Sequence, residues 1–405
     1  MAVKAAGTAA AAVASPEEGK MRRLKISPRP DYAARLEAIG LSFHAWDDYW
    51  CEEVCYRFTS EQIDLLEART AELHRMCIEA FKHVILAKRL GQLGIPAAYW
   101  QAIETSFMRN EFSLYGRFDL AYDGVSEPKL LEYNADTPTS LLESAVAQWY
   151  WMKEKFPEHD QFNSLHERLV ERWQSLHSPD NRIHFASLAG NEEDWVCVHY
   201  LMDTAKQAGF EVRHIAIEKL GWDRGRNSFV DENNVPISTL FKLYPWEWMM
   251  REEFGPMTVA SVTRFIEPMW KSVLSCKGIL PILWELYPGH PNLLPAYFEP
   301  GLLSSYAKKP LFSREGANIV LVENGKVIAD DDGPYGREGY IYQALHKLPD
   351  FDGNYPVIGS WIVGDQPAGI CLREDALLVT TNMSNFIPHD FVRTDEGRCW
   401  AACPG

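Results

Sequence analysis

Arg117-Phe118-Asp119 and Glu132-Tyr133-Asn134-Ala135-Asp136-Thr137 flank a turn-rich connector, Asp123-Gly124-Val125-Ser126-Glu127-Pro128. Apolar residues alternate on both sides, Phe118 and Leu120 before the connector and Leu131 and Tyr133 after it. That is the pattern of two strands joined as a hairpin. If Asp119 lies opposite Glu132, Arg117 lies opposite Asn134. Strand side chains alternate faces with a period of two. Arg117, Asp119, Glu132 and Asn134 therefore share one face, and Phe118, Leu120, Leu131 and Tyr133 share the other, which is the core face.

Two carboxylates, an amide oxygen and a guanidinium on one face suit Mg²⁺ carrying a phosphate. Mg²⁺ prefers oxygen ligands and takes one or two carboxylates plus substrate phosphates. Arg117 would face the phosphoryl group rather than the metal. The plain alternative is a surface hairpin with a cross-strand salt bridge. A salt bridge does not need the Asn.

Composition sets outer bounds. The chain has 405 residues, enough for two or three packed subdomains. Hydrophobic residues make up 46% and charged residues 24%, ordinary for a globular protein. A net charge of -16 argues against a nucleic-acid partner and would suit a cationic substrate such as a polyamine. No run of eighteen apolar residues marks a transmembrane helix, so no membrane partner is expected. Residues 1–20 are Ala-rich, too weakly apolar for a secretory signal, and read as a disordered tail. Eight cysteines in a chain this long make no disulfide framework. Cys51 and Cys55 are one helical turn apart, as Cys399 and Cys403 would be if helical, and neither pair has the spacing of a zinc site. Buried or incidental thiols in a reducing cytoplasm are expected.

Along the chain, residues 30–110 read mainly as helix, with Thr59-Ser60-Glu61-Gln62 as a helix start. Thr137-Pro138-Thr139-Ser140 caps a helix to about residue 153, and another helix covers roughly 161–176. From 182 to 250 strand and helix alternate, which suggests a parallel α/β lobe. Phe229 to Leu243 is expected to hold a hairpin around Glu232-Asn233-Asn234. The final third reads as an antiparallel α+β lobe. It has a hairpin over Glu323-Asn324-Gly325 and strands at Val357–Val363 and Ala368–Arg373.

The stretches RFDLAYDG at 117–124, LLEYNADTPTSLLE at 130–143, GNEED at 190–194, SCKGILPILWELYPGHPNLLPAYF at 275–298, KKPLFSREGANI at 308–319 and IGSWIVGDQPAGICLRED at 358–375 occur in that order. Together they resemble the synthetase half of the glutathionylspermidine synthetase family, an ATP-grasp group, over about residues 30 to 390. The resemblance implies an ATP-grasp fold of the permuted type, in which the metal ligands precede the nucleotide lysines, with a pre-ATP-grasp α/β lobe. It implies ATP and Mg²⁺ as cofactors, with Asp119, Glu132 and Asn134 on the metal and Arg117 at the transferring phosphoryl group. Lys277 and Lys309 match the nucleotide lysines. Arg314 and Gly316 lie in a loop that closes over the γ-phosphate. Gln343 falls where the hinge meets adenine, and Arg373 where a second phosphate-facing arginine lies. Thr137 and Thr139 match positions near the acid substrate, and Glu192 and Glu193 an acidic pair that contacts the peptide and amine. The implied layout is a tail at 1–25, one synthetase unit at 26–393 and a tail at 394–405. The unit divides into a helical region with the metal hairpin at 30–180, an α/β substrate lobe at 181–270 and a nucleotide lobe at 271–393. Only a short helical region precedes the site, so the amidase activity of bifunctional members is not expected.

Each residue also has a plainer reading. Lys277, Lys309 and Gln343 are ordinary surface types. Glu192 and Glu193 suit the first turn of a helix. Thr137 and Thr139 suit a helix cap. Trp246 and Trp248 read as core rather than binding site. The activity implied is an ADP-forming acid–amine ligase working through an acyl phosphate, on glutathione or a related peptide acid with a polyamine or other amine. The alternatives are an ATP-binding protein without ligase activity, and a hydrolase built on Asp119 and Glu132. Oligomeric state is left open.

Overall fold

The hairpin has the register that strand period dictates. In the computed structural model, which describes residues 21–393, strands Tyr115–Ala121 and Lys129–Asn134 pair antiparallel with Arg117 opposite Asn134 and Asp119 opposite Glu132. A bulge follows, and Leu120 pairs with Leu130. The bulge corrects one expectation. Leu130, not Leu131, takes the core position, and Leu131 is displaced to the open side. The Phe118 and Tyr133 rings stack on the core face with centroids 3.9 Å apart.

Tyr115–Ala121 continues into a five-stranded antiparallel sheet through Tyr355–Val363, Gln366–Asp375 and Asn385–Ile387, leaving Lys129–Asn134 at its edge. The helix Ser60–Leu86 covers the apolar face. Its Ile63, Leu66, Leu73 and Phe81 recur at helical spacing and join the core of Phe118, Leu120 and Ile370. Thr59 and Gln62 close a reciprocal capping box at its start.

The strands Arg264–Ile266, Thr239–Lys242, Arg182–Ser187 and Glu211–Ala216 form a four-stranded, wholly parallel sheet in that order. This bears out the α/β lobe and shortens the expected Phe229–Leu243 hairpin to one antiparallel bridge, Val230 opposite Pro236. A turn does form there, with Asp231 Oδ1 accepting from the Asn233 and Val235 amides. The strand after it is buried at every residue and so belongs inside a sheet, while Ser228–Val230 pairs with Gly221–Asp223. A third, antiparallel sheet runs Ala296–Tyr297, Tyr340–Ala344, Tyr306–Pro310, Val320–Glu323 and Lys326–Asp330, including the expected hairpin over Asn324-Gly325.

Residues 22–25, expected to belong to the N-terminal tail, are part of the fold. Arg22–Lys25 is a strand on Val54–Thr59, and Arg23 is held by a 2.7 Å ion pair to Glu374. Residues 1–20 and 394–405, with Cys399 and Cys403, lie outside the described residues. Val54–Thr59 is a strand within the region read mainly as helix, so Cys51 and Cys55 do not share a helical face. Among the described residues, six cysteines are free thiols and no helix is long and apolar enough to cross a membrane.

Two buried acids shape the ground beneath the hairpin. Asp136 receives Lys242 Nζ at 2.6 Å and the Trp246 amide at 2.9 Å, tying the hairpin's end to the parallel sheet with both side chains fully buried. Burial pushes Asp136 up and Lys242 down, against the pull of each on the other. Removing one partner strands a charge, so Lys242→Met is expected to cost about 3–5 kcal/mol in denaturant unfolding, most of it recovered on adding Asp136→Asn. A single variant as stable as the parent would refute the pair's role.

Glu143 opens a π-helical segment, Glu143–Ala147, and accepts the Tyr49 hydroxyl at 2.6 Å. Burial raises its carboxyl to about 7 from 4.5, with the Tyr49 bond opposing. Below the lower value both folded and unfolded chains are protonated and this stabilisation is complete; it is lost as pH rises through the folded value. Relative to Glu143→Gln, the parent should lose about 3 kcal/mol of stability between roughly pH 4.5 and pH 7. A pH-independent difference between the two proteins would count against a buried, protonated Glu143.

Candidate active site

A cavity of about 730 Å³ opens between the hairpin, the third sheet, the first turn of helix Glu192–Gln207 and the loop around Ser313–Gly316. All the residues singled out from the sequence line it: Arg117, Asp119, Glu132, Asn134, Thr137, Thr139, Glu192, Glu193, Lys277, Lys309, Arg314, Gly316, Gln343 and Arg373. Its two ends differ. Leu131, Leu294, Ala307, Leu321, Leu348 and Val357 make one end apolar, and the hairpin's charged face makes the other polar. That is the layout for a flat ring joined to a charged tail.

Arg117 grips Asp119 with two bonds, Nε to Oδ1 at 2.8 Å and Nη2 to Oδ2 at 3.2 Å, and donates Nη1 to the Thr139 carbonyl. A Cβ on Gly359 would lie 2.7 Å from Arg117 Cδ, so the bare glycine on the neighbouring strand makes room for the arginine to lie flat. Asn134 Nδ2 donates to Asp119 Oδ2 and Glu132 Oε1 at 3.1 Å each. Lys277 Nζ pairs with Glu132 Oε2 at 2.9 Å and donates to the Ser313 carbonyl. Burial would raise Glu132, but the ammoniums of Lys277 and Lys309 outweigh it and hold the acid at about 2. Burial and the neighbouring Glu132 raise Asp119 against the pull of Arg117.

Lys309 and Gln343 are not the surface residues their types suggest, at 6% and 2% exposed. They face each other across neighbouring strands, Lys309 Nζ to Gln343 Oε1 at 2.8 Å. Both reach the edge strand at its bulge, where Lys309 donates to the Leu131 carbonyl and Gln343 to the Leu130 carbonyl. Burial outweighs Glu132 and brings Lys309 down to about 8.

The loop after Pro310 folds back over the polar end. Gly316 (φ 75°) makes the turn, and a Cβ there would meet the Thr380 carbonyl at 2.7 Å. Arg314 donates to Thr137 Oγ1 at 2.6 Å and to Glu247 Oε1 at 3.1 Å. Thr139 donates to Glu193 at 2.6 Å. The two threonines thus spend their hydroxyls across the cavity rather than on the helix that follows. Glu192 and Glu193 occupy a first helical turn behind the Asn191 cap and also line the cavity, so both readings of them hold. Glu192 accepts from the Ser42 hydroxyl. Arg373 donates to the Ser384, Thr381 and Asn382 carbonyls.

Several lining residues escaped sequence reasoning. Asp194 and Glu315 add two acids beside Glu193, and burial and Glu193 raise Asp194 to about 7. Trp46 and Trp248 form aromatic walls, so only Trp246 of its pair is core. The GNEED run signalled Asp194; the rest carry no local signal.

The donor set fits a hard cation that completes its shell with phosphate. Among the described residues no cluster of three or more His, Cys, Asp or Glu forms a metal cage. The hairpin instead offers two carboxylates with an amide between them. A half-turn of the Asn134 amide would put its oxygen where the carboxylates converge. Ser313 Oγ and Thr380 Oγ1, both in the wall, are buried without hydrogen-bond partners. A polar ligand would satisfy them.

Residues 23–392 match the family model described as glutathionylspermidine synthase preATP-grasp. A Haemophilus influenzae protein named "Putative acid--amine ligase" is 44% identical over 393 residues, covering 92% of this chain and 100% of that one. The bifunctional glutathionylspermidine synthetase/amidase of Escherichia coli is 30% identical over 362 residues, 81% of this chain and 58% of that protein. Trypanothione synthetase of Crithidia fasciculata is 29% identical over 341 residues, 76% and 52% respectively. The chain thus spans a little over half the length of these last two. Among solved structures, a glutathione synthetase-like effector from Globodera pallida in its apo form superposes with a TM-score of 0.53 at 10% identity, over 91% of this chain and 100% of that one. That likeness is one of fold. The fold is of the ATP-grasp type, and the chain belongs to the glutathionylspermidine synthase pre-ATP-grasp family.

Proposed function

We propose that this chain is an ATP-dependent ligase that joins a carboxylic acid to an amine through an acyl phosphate. The observation that carries this reading is one cavity in which Asp119, Glu132 and Asn134 face Arg117, Lys277, Lys309 and Arg314, with an apolar chamber behind them. The ligase names of the relatives point the same way. Residues 22–393 act as one synthetase unit in this reading.

The apolar chamber takes the adenine, with Gln343 and the bulge carbonyls at its edge. Lys277 and Lys309 meet the phosphates. A carboxylate is a poor acylating agent because oxide is a bad leaving group. Transfer of the γ-phosphoryl group to a carboxylate oxygen releases ADP and makes an acyl phosphate. The amine nitrogen then attacks the acyl carbon, the C–O bond to phosphate breaks, and the amine gives up a proton. Both steps need positioning and charge neutralisation more than covalent help. Asp119, Glu132 and Asn134 would hold Mg²⁺, which would supply charge neutralisation at the phosphates. Arg117, Arg314 and Arg373 stabilise the transferring phosphoryl group. The loop around 311–317 keeps water from the acyl phosphate. Thr137 and Thr139 meet the acid. Glu192 and Glu193 attract a cationic amine, and glutathione or a related peptide acid with a polyamine is the first pair to test.

ADP release should be measured with Mg·ATP, glutathione and spermidine, and with each omitted in turn. Release that needs both substrates is the expected result. Binding without release moves the search to other acids and amines, and absence of ATP binding sinks the reading. Arg117→Ala and Asp119→Ala should each lower turnover by about a thousandfold or more while far-UV circular dichroism stays unchanged. Wild-type turnover in either would refute the site.

A further inference from the structure

Arg314 sits in a loop with its guanidinium incompletely bonded. Nη1 donates to Thr137, Nη2 donates to Glu247, and Nε is buried with no partner. Glu247 mirrors this state. It is 6% exposed, its Oε1 accepts from Arg314, and its Oε2 is buried and without a partner. The pair is therefore single-bonded, although guanidinium and carboxylate could form two parallel bonds.

The two partners differ in how firmly they are held. Glu247 belongs to the short helix Trp246–Met249, pinned at its start by the Trp246 amide on the buried Asp136. Its own carbonyl accepts from Arg251, and Arg251 pairs with Glu338 on the far side at 3.0 Å. Arg314 is carried by the loop that turns at Gly316, where its carbonyl accepts from the Ala317 amide and its guanidinium lies 5.8 Å from the centre of the Trp248 ring, a looser support than a helix pinned to a buried acid. The carboxylate is the fixed member and the guanidinium the movable one. Of Arg314's two bonds, the one to a neutral hydroxyl is the cheaper to give up, because a carboxylate buried this deeply loses more when its bonded cation leaves.

We propose that Glu247 is the positioning residue for Arg314. It keeps hold of Nη2 while the Thr137 bond is exchanged, which leaves Nη1 and the unpartnered Nε to meet a phosphoryl group entering the polar end. Glu247 itself touches no substrate and does not line the main cavity. This assignment rests on the ligase reading for the identity of the phosphoryl group, but not for the coupling between the two residues.

A double-mutant cycle tests it, using Glu247→Gln, Glu247→Ala and Arg314→Ala alone and in combination. Two quantities are read, ADP release and the calorimetric affinity for Mg·ATP. Glu247→Ala is expected to lower kcat by roughly tenfold to a hundredfold with the amine KM unchanged. Glu247→Gln, which keeps an acceptor for Nη2, should recover part of that loss. In the Arg314→Ala background Glu247→Ala should change kcat and ATP affinity by less than about twofold, because the group it acts through is gone. Equal losses in both backgrounds would mean that Glu247 merely supports the fold and would overturn the proposal. So would wild-type kcat in Glu247→Ala. If no acid and amine pair is turned over, the ligase reading fails on its own, and the cycle in ATP affinity still judges Glu247. If the alanine variant does not fold, the glutamine variant completes the same cycle.

Discussion

Within the cavity, two cations are already committed to the hairpin's acids. Arg117 rests on Asp119 and Lys277 on Glu132. Partly buried charges are costly to leave unpaired, and pairing offsets much of that cost. The first pair is local to one strand, and the second is brought together by the fold from distant parts of the chain. The pairing also constrains what can enter. A phosphate arriving alone would draw the cations away and leave the acids unpaired. A metal ion arriving alone would do the reverse. A phosphate carrying its own divalent cation lets each side change partner while every charge stays compensated.

The bulge in the edge strand is the second organising feature. An extra residue there turns Leu131 to the cavity and places the carbonyls of Leu130 and Leu131 where Gln343 and Lys309 take them up. The third sheet is thereby fastened to the hairpin by side chains rather than by a strand ladder. Such a joint holds the two walls of the apolar chamber at a fixed spacing without fusing them into one sheet. Asp136 and Lys242 fasten the parallel sheet to the hairpin's other end.

How much of this was legible depends on the range of the signal. The face shared by Arg117, Asp119, Glu132 and Asn134 follows from a period of two over a few residues, and the register agrees. The bulge is invisible to that rule, since alternation alone puts Leu131 in the core. The strand at Thr239–Lys242 was misassigned because a genuine turn precedes it, and a turn does not say which strands it joins. The burial of Lys277, Lys309 and Gln343 could not be read from residue type, because it depends on acids and carbonyls more than thirty positions away. Their order along the chain carried the family resemblance instead. Glu247 had no local signal, for its partner Arg314 is brought close only by the finished fold.

The cavity wall runs from Trp46 to Asn382, so nearly the whole described chain must be in place before the site exists. Contacts of such long sequence separation form late, after the loop-closure entropy of each sheet has been met. A half-folded chain therefore has nothing to offer a nucleotide. A ligand held by that wall recognises only the completed molecule, and by mass action its concentration would become one of the terms that sets what fraction of the chain is folded.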